Sequence, residues 1–141
     1  MTASLATLLT AVVTIIALLV FFWTGLRVGS ARGKYGVKAP ATTGSPEFEC
    51  AYRVQMNTLE QIVLFLPLLW LSNSYFMMMP YLTGALGLVW IVGRIMYATG
   101  YSATDPSKRS SGFLISLIAT AGLLITTIIG LVQAYMAISA V

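Results

Sequence analysis

The chain has 141 residues, of which 58% are hydrophobic and 9% are charged, and its mean hydropathy is +0.88. An ordinary soluble domain has about a quarter charged residues, so this composition excludes a large water-facing surface. The absence of histidine excludes an imidazole general base and argues against a transition-metal site, and a single cysteine cannot form a disulfide within the chain.

Four apolar segments follow one another, and each can cross a bilayer, because about 20 helical residues span a hydrocarbon core of ~30 Å. The first, residues 5–26, has no ionisable side chain and is longer than the apolar region of a cleavable signal peptide, so we expect it to be retained. The glycine-rich and proline-rich residues 27–46 are predicted to form a loop. Further spans are predicted at 48–74, 81–98 and 113–137. The sequence therefore predicts one all-α domain over residues 1–141, an integral membrane four-helix bundle.

The basic residues indicate the orientation of this bundle. Six of the eight lie in the first and third loops, which are on the same side of a four-span protein: Arg27, Arg32, Lys34, Lys38, Lys108 and Arg109. Because basic loops remain in the cytoplasm, these two loops are predicted to be cytoplasmic and both termini to lie on the opposite side. The net charge of +4 is thus a topology signal, with no nucleic-acid partner expected. A bacterial inner membrane or an endoplasmic reticulum-type membrane fits this pattern.

The second span carries a polar stripe in its cytoplasmic half. Arg53, Asn57, Glu60 and Gln61 fall within a face about 100° wide, whereas Gln55 points roughly 200° away from Arg53. Polar groups in a membrane helix either fasten it to its neighbours or form a functional site. The number of polar groups on one face favours the site, although an Arg53–Glu60 or interhelix pairing is the alternative.

A second cluster lies at the end of the third span, where Arg94, Tyr97 and Tyr101 share one face. Alternatively, the tyrosines are interfacial anchors, Arg94 extends to lipid headgroups, and Lys108 and Arg109 only determine topology. Together with the stripe, these groups suit a small anion that also carries an amine. Carboxylates would bind to Arg or Lys and an ammonium to Glu60, and a thiol beside a guanidinium would ionise near neutral pH.

The chain also contains a series of short motifs in a fixed order: Ser30-Ala31-Arg32, the run from Thr42 to Glu49, Tyr52-Arg53-Val54-Gln55-Met56-Asn57 with Glu60, Gly87-Leu88-Val89, Gly93-Arg94, Tyr97 and Gly100-Tyr101. These motifs resemble those of the MAPEG family of membrane-associated glutathione-handling proteins. The similarity covers most of the chain and is greatest to the branch of microsomal glutathione transferases and leukotriene C4 synthase. It implies a homotrimer that uses glutathione as co-substrate without a metal.

The resemblance also implies roles for individual residues. Glutathione would be held by Arg53, Asn57, Glu60, Tyr97 and Tyr101 of one subunit and by Arg32 and Gln55 of the next. Two positions depart from the family pattern. Gln61 stands where members of this branch often have a tyrosine, so one glutathione contact is altered or lost. The place of the thiol-activating arginine holds Lys108, with Arg109 next to it, and both are candidates for that role. A one-residue insertion near Asp105 would bring Arg109 into that role, and a planar fork with a fixed charge suits a thiolate better than an ammonium. Cys50 is expected to be a bystander.

The resulting hypothesis is a membrane glutathione transferase that conjugates a glutathione thiolate to a lipophilic electrophile entering from the bilayer, and that also reduces lipid hydroperoxides. The first alternative is a lipid-presenting protein of the same family, similar to the five-lipoxygenase-activating member, without the thiol-activating residues. The second is a small four-helix drug–proton antiporter. Antiporters of that kind carry a glutamate in the first helix, and this chain has none there.

Overall fold

The computed structural model describes residues 4–140, which form four long helices. They are α1 (Leu5–Tyr35), α2 (Pro46–Tyr75), α3 (Pro80–Gly100) and α4 (Ser110–Ser139), with a 3₁₀ turn at Pro106–Arg109 before α4. All four are long and apolar enough to cross a membrane. The predicted all-α fold with four membrane-spanning helices is confirmed.

The first helix is longer than predicted. It continues through the basic, glycine-containing segment and ends at Gly36, whose φ of 69° is the left-handed conformation that terminates helices. The prediction of a loop over residues 27–46 is therefore wrong for residues 27–35. The physical reason is tertiary packing: Val28 and Ala31 are buried against Phe48 of α2, and Arg27 Nη1 donates to the Ala98 carbonyl of α3 at 2.6 Å. These contacts outweigh the small helix penalty of two glycines.

Helices α2 to α4 lie close to their predicted positions. Ser45 caps α2 by accepting a hydrogen bond from the backbone N–H of Phe48, and Pro46 occupies the first turn, where a missing N–H costs nothing. Pro67 lies inside α2 without ending it. The last helix begins before its predicted start at residue 113, because the 3₁₀ turn leads directly into Ser110.

The helices meet in a buried core in which Phe65 of α2 stacks on Trp90 of α3, with ring centroids 4.0 Å apart. Glycines set the closest crossing, between α3 and α4. A Cβ added to Gly93 would lie 2.7 Å from the Ser116 nitrogen and 2.9 Å from the Gly112 oxygen, and both are backbone atoms that cannot rotate away. This close approach fixes the C-terminal end of α3 against the start of α4, where the candidate site lies.

Candidate functional site

The polar stripe of α2 forms a hydrogen-bonded group centred on Glu60. Arg53 Nη1 donates to Glu60 Oε1 at 3.1 Å, and Asn57 Nδ2 donates to Glu60 Oε2 at 3.2 Å. The spacing of three and seven residues along one helix face produces this arrangement. The side chains of Arg53 and Glu60 are about half exposed, at 52% and 50%, so solvent and ligands can reach both.

Arg94 of α3 donates hydrogen bonds to this group from its buried side. Its side chain is fully buried, and Nη2 donates to Asn57 Oδ1 at 3.0 Å and to Thr58 Oγ1 at 2.9 Å. The guanidinium also lies 4.3 Å from the centre of the Tyr97 ring. Among the residues that the structure describes, its Nε and Nη1 have no hydrogen-bond partner. Arg94 therefore points into the bundle and does not extend to the headgroup region.

The two tyrosines and Arg109 form the other side of the site. Tyr97 and Tyr101 stack with ring centroids 5.8 Å apart, and the guanidinium carbon of Arg109 lies 4.6 Å from the Tyr101 ring centre. Tyr97 is only 3% exposed. The Arg109 guanidinium thus makes a cation–π contact with Tyr101 of the stacked pair, and this contact favours a fixed orientation of the guanidinium.

The turn before α4 separates the two candidate cations of the third loop. Asp105 caps the 3₁₀ turn, accepting from the backbone N–H of Ser107 at 3.2 Å, and its carboxylate lies 3.7 Å from Lys108 Nζ. The hydrogen bond from the Ser107 side chain holds the pKa of Asp105 below its usual value, with smaller contributions from the Ser107 backbone and Lys108. The Lys108 side chain is 70% exposed. Arg109, one residue later, turns toward the tyrosines.

Four of these residues line a cleft of about 560 Å³ that has both polar and apolar walls. Its lining residues are Arg53, Asn57, Tyr97, Arg109, Ser110, Phe113 and Leu114. A neighbouring cleft of about 450 Å³ is lined by Arg53 as well, together with Tyr101, Cys50 and Pro106 among others. A cation, an amide and a phenol next to an apolar wall suit a polar anion that reacts with a lipophilic molecule.

Three of the predicted residues lie elsewhere in the chain. Arg32 donates to the Ala41 carbonyl at 2.8 Å and lies over the Phe48 ring. The Gln55 amide lies over Gly25 of α1, where an added Cβ would be 3.1 Å from its Nε2. Gln61 has a buried Oε1 without a partner among residues 4–140. None of the three lines the 560 Å³ cleft, and four other predicted residues also lie outside its lining: Glu60, Arg94, Lys108 and Tyr101, the last of which lines the neighbouring cleft.

Sequence reasoning missed the residues of α4 that complete the cleft, Ser110, Phe113 and Leu114, and it missed Thr58. Phe113 follows Arg109 by four residues, so the helical spacing of the two was a usable signal. In the described part of the chain, no group of three or more His, Cys, Asp or Glu side chains is placed to hold a metal ion. The site instead offers cations and hydrogen-bond donors.

Comparison with known proteins identifies relatives over most of the chain. The model of the MAPEG family matches residues 10–129. An uncharacterized protein of Synechocystis sp. is 45% identical over 120 residues, covering 82% of this chain and 85% of that protein. Human microsomal glutathione S-transferase 2 is 41% identical over 111 residues, covering 79% and 74%. Leukotriene C4 synthase of Cavia porcellus is 37% identical over 124 residues, covering 82% and 81%. The chain is a multi-pass membrane protein that belongs to the MAPEG family.

Proposed function

We propose that the chain is a membrane glutathione transferase, which ionises the thiol of glutathione and transfers the sulfur to a lipophilic electrophile. The observation that carries the proposal is the convergence of Arg53, Asn57, Tyr97 and Arg109 in one cleft that also has an apolar wall. Relatives named microsomal glutathione S-transferase 2 and leukotriene C4 synthase support the same reaction class.

Glutathione carries two carboxylates, an ammonium and a thiol, and the site of one chain has a complementary group for one carboxylate, the ammonium and the thiol. Arg53 offers a planar fork to a carboxylate, and Glu60 accepts the ammonium through lone pairs that Arg53 and Asn57 leave free. Tyr97 and Tyr101 add phenol donors. Glutathione is therefore held by charge pairs with Arg53, which lines the cleft, and with Glu60 beside it, without a metal.

Arg32 and Gln55 are proposed to bind glutathione held by a neighbouring subunit in a homotrimer. Their placement away from the cleft of their own chain supports this assignment. Gln61 is half-buried and its Oε1 is enclosed, so it is given no direct role in the proposed complex.

Arg109 is proposed to stabilise the thiolate. When glutathione binds, the thiol proton passes to solvent and the guanidinium pairs with the sulfur anion. The thiolate then attacks the electrophilic carbon, a C–S bond forms, and the leaving group or the opened ring takes up the electron pair and a proton. The pairing of Lys108 with Asp105 at 3.7 Å favours Arg109 over Lys108 for this role.

The acceptor is proposed to approach from the membrane. Phe113 and Leu114 form the apolar wall of the cleft, and a further apolar groove of about 570 Å³ runs between α2 and α4, lined by Val63, Leu64, Leu117 and Leu124 among others. A lipid hydroperoxide reaching the same thiolate would be reduced to the alcohol, with a second glutathione molecule as the reductant. The basic loops indicate that the polar residues of the cleft face the cytoplasm.

The proposal is tested by titrating the detergent-purified protein with glutathione near neutral pH and recording the ultraviolet band of ionised sulfur. We expect a saturable band that is lost when both Lys108 and Arg109 are replaced by alanine. Calorimetric binding without a band would indicate the lipid-presenting class, because that class keeps the fold without activating a thiol. Absence of both binding and band would refute a glutathione function altogether.

A further inference from the structure

We infer that Arg94 is a positioning residue that determines which side of the Asn57 amide faces the ligand, and thereby selects ligands with an ammonium beside a carboxylate. The inference rests on the proposed function and assigns Arg94 a role different from direct contact with glutathione. It starts from the burial of Arg94, which is 0% exposed and does not line the cleft.

A guanidinium only donates hydrogen bonds, so the atom of Asn57 that faces Arg94 must be its carbonyl oxygen. The contact of 3.0 Å from Arg94 Nη2 to Asn57 Oδ1 fulfils this requirement. The amide nitrogen of Asn57 then points the other way, where it donates to Glu60 Oε2 at 3.2 Å. The buried cation thus sets the orientation of a side chain that lines the cleft.

A second acceptor holds the guanidinium in place. Thr58 Oγ1 receives a hydrogen bond from the same Nη2 at 2.9 Å, and its own hydroxyl donates to the Val54 carbonyl at 2.8 Å. Without Arg94, only the hydrogen bond to Glu60 orients the Asn57 amide. A rotated amide would turn its oxygen toward the Glu60 carboxylate, so that two acceptors would face each other and Glu60 would keep Arg53 as its one donor of the present two.

The charges of the group lead to the same conclusion. Arg53 donates directly to Glu60, and Asn57 connects Glu60 to Arg94, so the group contains two positive charges and one negative charge. Such a group is complementary to a ligand with one more negative than positive charge. An α-amino acid end attached to a second carboxylate has this charge pattern, whereas a ligand without the ammonium leaves Glu60 with only its contacts to Arg53 and Asn57.

The test compares two ligands by calorimetry: glutathione, and its analogue in which hydrogen replaces the γ-glutamyl amino group. Wild-type protein should bind glutathione more tightly than the analogue, by about tenfold, as expected for one charge-assisted contact. Arg94→Met should weaken glutathione binding by about the same factor, with little change for the analogue, so the preference is lost. A loss of packing alone would weaken both ligands alike.

Thr58→Val is the matched control, since it removes the other Arg94 acceptor, keeps the shape of the side chain and leaves the Asn57 contact. The preference for glutathione should persist in this variant. If Arg94→Met does not assemble, Asn57→Ala removes the same connection while Arg94 keeps Thr58, and the preference should again be lost. Retention of the preference in Arg94→Met, or in Asn57→Ala, would overturn the inference while leaving glutathione binding established. Failure of the wild-type protein to bind glutathione would instead refute the proposed function.

Discussion

Replacing Arg109 by alanine tests the proposed chemistry most directly. Arg109 lies in the cleft with its guanidinium on the Tyr101 ring, so its removal takes away the cation assigned to the sulfur while the binding group around Glu60 stays intact. We therefore expect the Arg109→Ala protein to bind glutathione whose thiol is mostly un-ionised at neutral pH.

The expected shift in the pKa of the glutathione thiol follows from the electrostatic interaction between Arg109 and the sulfur. A unit charge about 4 Å from the sulfur contributes at most ~4 kcal/mol at an effective dielectric constant of ~20. A fall of two units in the thiol pKa needs about 2.7 kcal/mol, which is within that limit. From a free-thiol pKa of about 8.5, this gives a bound pKa of ~6.5 and a thiolate fraction near three quarters at pH 7. Without Arg109 the fraction is about 3%, roughly 25 times less.

The assay is the ultraviolet thiolate band of saturated protein recorded from pH 5 to 10. The midpoint should move from about 6.5 to ~8.5 in Arg109→Ala. Glutathione affinity at about pH 5.5 should be unchanged, because both proteins then bind the neutral thiol. Conjugation at neutral pH should fall by a smaller factor than the thiolate fraction, since a thiolate of higher pKa is the better nucleophile.

Lys108→Ala is the discriminating variant, because it removes a cation from the adjacent residue. With its side chain 70% exposed and paired to Asp105, Lys108 should leave the midpoint where it is. If Lys108→Ala shifted the band and Arg109→Ala did not, the assignment of the thiol-activating residue would be wrong. If neither shifted it, the thiolate would be stabilised by another group.

Three further outcomes follow. Arg53→Met should raise the Kd for glutathione by about tenfold or more, measured by calorimetry, through loss of a charge-assisted carboxylate contact. Gly112→Ala should lower the thermal midpoint by several degrees in detergent, since an added Cβ would press on backbone atoms of α3, whereas Gly29→Ala, where a Cβ meets nothing within 4 Å, should not. Asp105 has a pKa below its usual value, so its contribution to the 3₁₀ turn is present at neutral pH and is lost only as the pH falls through that lowered pKa. Asp105 should therefore stay ionised in mild acid. In steady-state assays, Asp105→Asn should lower kcat more than the affinity for glutathione, because Asp105 caps the turn that carries Arg109 and lies outside the 560 Å³ cleft.

The chain also shows where local sequence signals fail. The glycines and basic residues that follow residue 26 predict a loop, yet α1 continues to Tyr35. Neighbouring residues cannot show that Val28 and Ala31 will be covered by Phe48, or that Arg27 will reach the Ala98 carbonyl. Those contacts join segments far apart in the chain and decide the length of the helix.

The sequence by itself determines the membrane class, the four spans and the polar stripe on α2. Hydropathy and helical periodicity are local properties, and lipid permits no partner for an unpaired backbone group outside a helix. Only the tertiary structure shows that Arg94 is buried behind Asn57, that Lys108 pairs with Asp105 while Arg109 lies on Tyr101, and that Phe113 closes the cleft. These arrangements depend on how α2, α3 and α4 pack against one another. Which of the adjacent residues Lys108 and Arg109 faces the cleft is decided by their contacts in the turn before α4, and composition carries no information on it.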